Sequence, residues 1–110
     1  MSGTKHDTGK ARFDLLPVKP LFKVVEVYTI GAKKYSDRNW ENGLKWGRVF
    51  AAMMRHGWDW WRGEKLDPKD GQHHLASVAW CALTLMEYEE THPEFDDRPK
   101  GDENAKVQTP

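Results

Sequence analysis

Apolar positions along the chain fall into three stretches with helical spacing, separated by polar segments rich in turn-forming residues. Residues 1–16 precede the first stretch. They are polar, contain glycine and show no helical period, which predicts an extended N-terminal arm. Pro17 and Pro20 suit a helix start, where a missing N–H costs nothing. From there Leu21, Val24, Val25, Tyr28 and Ala32 recur at i, i+3, i+4, i+7 and i+11, one apolar helix face reaching to about Lys34. Gly31 weakens the last turn, and the β-branched residues of this run are also compatible with a strand.

Residues 35–45 place Asp, Asn and Gly in turn positions and predict a connecting loop. A second helix is expected from about Trp46 to Trp61, with Trp46, Val49, Phe50, Met53, Gly57, Trp60 and Trp61 on its apolar face. Arg48, Arg55, Asp59 and Arg62 line its polar stripe, and Gly63 stops it. The segment 64–71 reads as a turn-rich linker. A third helix then covers about Gln72 to Glu90, with Leu75, Val78, Ala79, Ala82, Leu85 and Met86 inward, and His92-Pro93 ends it. Residues 96–110 are charged and nearly free of apolar side chains, the composition of a disordered tail.

These elements predict an all-α fold, a small antiparallel helical bundle occupying residues 17–95. At 110 residues there is room for one core only. Three short helices with wide, aromatic faces do not cover one another, which points to a bundle completed by a second subunit, a homo-oligomer. Six tryptophans strengthen that expectation, since aromatic side chains carry large apolar areas; most of them read as core.

Charge narrows the function. Seventeen basic and seventeen acidic residues cancel, so no global field favours extended nucleic acid, and any phosphate affinity must come from local clusters. The lone Cys81 excludes an internal disulfide and, lying within an apolar helix, reads as a small hydrophobe. No apolar run approaches a membrane span, and the N-terminus lacks the apolar centre of a signal peptide; a cytoplasmic location without membrane contact is expected.

Three clusters carry candidate chemistry. Lys5, Lys10 and Arg12 in the arm, with Lys33, Lys34 and Arg38 further on, form a basic set suited to an anion, although the spacing of a Walker loop is missing. A solvated charged arm has the same composition. His56, Asp59, Glu64, Asp67, Asp70, His73 and His74 crowd the second inter-helix turn, where a helical hairpin brings them together. Carboxylates suit Mg²⁺ or Mn²⁺, and Mn²⁺ or Zn²⁺ also accept imidazole. Hydrogen-bonded histidines and capping carboxylates are the plainer alternative. Tyr35 and Trp40 lie beside the basic residues of the first loop and suit base stacking, as does Trp58 on the second helix.

Four ordered stretches, KHDTGKARFDLLP (5–17), GAKKYSDRNWENGLKW (31–46), RHGWDWWRGEKLDPKDG (55–71) and HHLASVAW (73–80), resemble a bacteriophage-encoded family of dATP/dGTP diphosphohydrolases related to the MazG-like nucleoside triphosphate pyrophosphohydrolases. The resemblance spans about residues 5–90. It implies an all-α, oligomeric, Mg²⁺- or Mn²⁺-dependent enzyme that cuts a (d)NTP between its α and β phosphates. The chain departs from the wider MazG pattern: the EExxE and ExxD motifs are absent, with Arg55, His56 and Asp59 on one helix and His74 and Ser77 on the next. The expected assignments are therefore nucleotide contacts from Lys5, Lys10, Arg12, Lys33, Lys34, Tyr35, Arg38, Trp40 and Arg55, metal ligands from His56, Asp59, Asp67 and His74, and a general base from Glu64 or Asp67. The missing carboxylates equally suit a protein that binds and sequesters a nucleotide or nucleotide-derived immune signal without cutting it.

Overall fold

A computed structural model describes residues 2–100. Three helices dominate it: α1 (Val18–Lys34), α2 (Trp46–Trp61) and α3 (His74–Thr91), with single 3-10 turns at Phe13–Leu15, Asn39–Asn42 and Pro93–Phe95. No strand forms among the described residues, so the stretch 21–32 is helix despite its β-branched residues; a lone bridge joins Leu66 to His73. The arm before α1 is exposed throughout and irregular apart from its 3-10 turn. The last ten positions of the expected tail lie outside the described residues.

Helix α3 is central and packs against both α2 and α1. Its inward stripe is His74, Ser77, Cys81, Thr84 and Tyr88, spaced i, i+3, i+7, i+10 and i+14, all buried. This corrects the expected inward face of the third helix: Leu75 and Met86 are 40% and 57% exposed. The physical reason is proximity. A helix flanked by two others approaches them most closely through small side chains, and Ala76, Ser77, Cys81 and Thr84 supply these. Burial also pushes the Cys81 thiol up to about 11, so it behaves as an inert hydrophobe.

The other helices diverge from their expected faces in the same way. On α1, Leu21 and Val25 stay exposed while Val24, Val27 and Tyr28 turn toward the interior. On α2, Trp46 and Val49 enter the core with Ala52 and Met53 beside them, whereas Phe50, Trp60 and Trp61 remain open to solvent.

The segment after α3 folds back over the start of α2. The Trp46 indole N–H donates to the His92 carbonyl at 3.1 Å, and the backbone N–H of Gly47 donates to Asp97 Oδ1 at 2.7 Å. Lys45, the N-cap position of α2, supplies no side-chain hydrogen bond, so Asp97 performs the capping role from fifty residues away. Asp96 binds Arg98, whose guanidinium lies 4.9 Å from the centre of the Trp46 ring. Order therefore extends past residue 96, the expected start of the tail.

Candidate functional site

The α2–α3 connection is zipped by backbone hydrogen bonds, from Glu64 N–H to the Asp59 carbonyl, from Asp67 N–H to the Gln72 carbonyl and from His74 N–H to the Lys65 carbonyl. The last two, with the Leu66–His73 bridge, fold the linker into a tight hairpin. His73 caps α3, its Nδ1 accepting from the Leu75 N–H at 3.0 Å, so the helix begins at His74 and not at Gln72. This hairpin lays His74 against the last turns of α2.

The result is a compact group of imidazoles and carboxylates. His56 Nδ1 and His74 Nδ1 stand 2.9 Å apart, and Asp67 Oδ2 lies 4.0 Å from His56 Nδ1. On its other side His74 offers Nε2 to Glu64 Oε1 at 2.7 Å. Two ligand sets with mutual atom separations within 4.8 Å share His74: His56, Asp67 and His74, and Asp59, Glu64 and His74. His74 is 1% exposed. The His56 pKa is lowered by burial first and by His74 second, against the opposing pull of Asp67 and Asp70.

The donor chemistry fits a divalent cation. In the tautomer that donates Nε2–H to Glu64, His74 presents a bare lone pair at Nδ1 toward His56. The 2.9 Å separation of the two Nδ1 atoms is that of an imidazole–imidazole hydrogen bond, and it also brings both nitrogens within reach of one shared ion. A carboxylate behind a ligating imidazole, as Glu64 stands behind His74, is the usual device for fixing tautomer and ring orientation. Two nitrogens and one carboxylate suit Mn²⁺ or Zn²⁺ better than Mg²⁺, which prefers oxygen.

The other expected site residues are more dispersed. Lys5, Lys10 and Arg12 lie in the exposed arm, where residues 7–12 and Asp14 line a cavity of about 610 Å³. Arg12 is held bidentately by Asp14, which also lowers the Asp14 pKa. Lys33 and Lys34 end α1, with the Lys34 ammonium 5.3 Å from the Tyr35 ring centre. Arg38 has a left-handed backbone, φ 58°, and pairs with Glu41. Trp40 is not a free platform: its ring packs edge-on against Tyr28 and at a tilt against Tyr88, whose hydroxyl donates to the Trp40 carbonyl. Asp59 pairs with Arg62, which lowers its pKa.

Closest in effect to the imidazole cluster are Arg55, one of the expected nucleotide contacts, and two lysines outside the expected set. The His56 pKa is lowered by burial and His74, with Arg55 adding a smaller push, and that of His73 by burial and then by Lys65 and Lys23. Lys23 sits on α1, distant in sequence from the cluster; its spacing carried no signal, because only the packing of α1 on α3 brings it near.

The profile of the family described as dATP/dGTP diphosphohydrolase, N-terminal, matches residues 1–98. A "dATP/dGTP diphosphohydrolase" from Salmonella phage PMBT28 is 34% identical over 98 residues, 89% of this chain. The chain spans 33% of the length of that relative. No solved structure matches it. The family match runs through the arm, the first loop and the whole imidazole–carboxylate hairpin, and on this ground the chain belongs to the dATP/dGTP diphosphohydrolase N-terminal family.

Proposed function

We propose that the chain acts on a purine deoxynucleoside triphosphate as a metal-dependent pyrophosphohydrolase, with His56, Asp67 and His74 holding the cation. The observation that carries this is the 2.9 Å approach of two imidazole nitrogens beside a carboxylate, with a second carboxylate orienting the buried ring. The substrate class rests on the similarity to the phage dATP/dGTP diphosphohydrolase. A bound Mn²⁺, or Mg²⁺ with weaker affinity, supplies charge neutralisation for the polyphosphate and lowers the pKa of attacking water.

The protein's own groups do the rest. Arg55, Lys65 and Lys23 surround the cluster with positive charge for the phosphates, and Lys10, Arg12, Lys33, Lys34 and Arg38 extend that field toward the arm and first loop. Glu64, its side chain 42% exposed, orients His74 through Oε1. A carboxylate of the same cluster, Asp67 or the second oxygen of Glu64, takes the proton of the attacking water. The water oxygen bonds to the α phosphorus, the bridge to the β phosphate breaks, and pyrophosphate leaves with the electron pair of that bond.

Incubating the purified chain with dATP or dGTP and Mn²⁺ tests this reading, with pyrophosphate and the monophosphate as the expected products. Recovery of intact nucleotide from a tight complex, without pyrophosphate, would instead establish sequestration.

A further inference from the structure

The strap that follows α3 closes on the first loop through one histidine. His92 Nδ1 stands 2.9 Å from Glu94 Oε2, and Nε2 stands 2.7 Å from the Glu41 carbonyl oxygen. A carboxylate and a carbonyl only accept, so both ring nitrogens must carry a proton for both bonds to form. A neutral imidazole has one N–H and turns a lone pair toward the other acceptor. The arrangement is complete only in the imidazolium.

Strap, loop and two helices meet at this residue. The His92 ring lies edge-on to Tyr88 of α3, with 5.5 Å between centres, and tilted against Phe95 at 5.3 Å. Its carbonyl accepts from the Trp46 indole N–H at the start of α2. A Cβ built on Gly43 would lie 3.1 Å from His92 Cε1, so the loop backbone passes close against the ring. Further along, the Lys45 ammonium lies 5.7 Å from the centre of the Phe95 ring. Residues 41–45 are thus held from outside by the strap, and Arg38 is tied to them through Glu41. Trp40 is anchored separately, by Tyr28 and Tyr88.

We infer that His92 is a proton-operated latch: as imidazolium it holds residues 41–45 and the start of α2 under the strap, and as neutral imidazole it releases them. The groups that face it are Glu94 on the strap, Glu41 and Lys45 on the loop side and Tyr88 on α3. Only an imidazole ordinarily titrates near neutrality. His92 holds the Glu94 carboxyl below its usual range, and burial pushes the Tyr88 hydroxyl up, so neither changes charge there. At the far end of the strap, Arg98 lowers the Asp96 carboxyl to about 2, and that pair also keeps its charge. The His92 pKa is raised, first by Glu94 and then by the Glu41 carbonyl. The latch is therefore fully closed below the ordinary histidine value of about 6.5 and opens as pH rises through the folded value.

Proton–nitrogen NMR of the full chain from pH 5.5 to pH 9 tests the latch away from the imidazole cluster. Trp46 precedes His56 by ten residues, about 15 Å of helix. The His92 ring resonances follow the proton, while the Trp46 indole N–H and the Gly47 amide follow the strap that accepts from both. All three are expected to titrate with one shared midpoint above the ordinary histidine value. The two N–H signals should then move toward those of solvent-exposed groups at high pH. Glu94→Gln should bring the shared midpoint down, and His92→Gln should abolish the transition at Trp46 and Gly47. Reporters that stay fixed while His92 titrates would overturn the latch. So would a transition that persists unchanged in His92→Gln, or a midpoint that Glu94→Gln leaves in place.

Discussion

His56 Nδ1 and His74 Nδ1 meet at 2.9 Å although eighteen residues separate them, and the hairpin between α2 and α3 is what brings them together. Replacing either imidazole by Ala removes one of the two nitrogens. Mn²⁺ affinity and pyrophosphate release should each fall by at least about 100-fold. Calorimetric titration with Mn²⁺, alongside circular dichroism to confirm folding, checks this. The half-buried His73→Ala, which removes the α3 cap and none of the proposed ligands, serves as a control, with metal affinity largely retained.

Glu64 is the partner that holds His74 from behind. Glu64→Gln keeps the size and a hydrogen-bond acceptor but removes the negative charge and the base. Turnover should drop on the order of 10–100-fold with a smaller change in Mn²⁺ binding. Equal losses in both would make Glu64 a ligand and not a positioning base.

The His92 ring sits between two acceptors, Glu94 Oε2 at 2.9 Å and the Glu41 carbonyl at 2.7 Å. Both are best satisfied by the imidazolium, and the His92 pKa is raised, first by Glu94 and then by the Glu41 carbonyl. The folded state therefore holds this proton more tightly than the unfolded chain. Its contribution to stability is complete below the ordinary histidine pKa of about 6.5 and disappears as pH rises through the folded value. His56 and His73, with lowered pKa values, act in the opposite sense. Comparing urea midpoints of the wild type and His92→Gln isolates the effect: their difference should shrink from pH 5.5 to pH 8.5.

Gly43 has φ 99°, and a Cβ placed on it would come within 2.4 Å of the Phe95 ring. Gly43→Ala combines a strained backbone with a steric clash and should destabilise the fold by roughly 2 kcal/mol or more. Thermal unfolding measures it, and an unchanged midpoint would show that the strap over the first loop can move aside at no cost.

Asp97→Ala removes the distant cap on α2. A loss of about 0.5–2 kcal/mol is expected, the range for N-cap acceptors. Urea unfolding checks it.

The three helices were legible because apolar residues recur with period near 3.6 through 21–32, 46–61 and 75–86, and Pro and Gly punctuate them. The hairpin clustering of His56, Glu64, Asp67 and His74 was legible for a related reason: a short, turn-rich linker between two helices forces its flanks together. Which face each helix buries was not. Period identifies a stripe of apolar residues, but α3 lies between two neighbours and turns its small residues inward, leaving Leu75 and Met86 outside. The capping of α2 by Asp97 and the approach of Lys23 to His73 depend on tertiary packing and leave no local pattern. Trp40 reads as a loop aromatic free to stack on a base; Tyr28 and Tyr88 instead take its ring into the core.

The most direct test of the proposed activity is Mn²⁺-dependent pyrophosphate release from dATP and dGTP in ¹⁸O-labelled water, comparing the wild type with the His56→Ala, His74→Ala double variant. Label is expected in the deoxynucleoside monophosphate alone, with release reduced to background in the variant. Label in pyrophosphate, or equal release by both proteins, would contradict it.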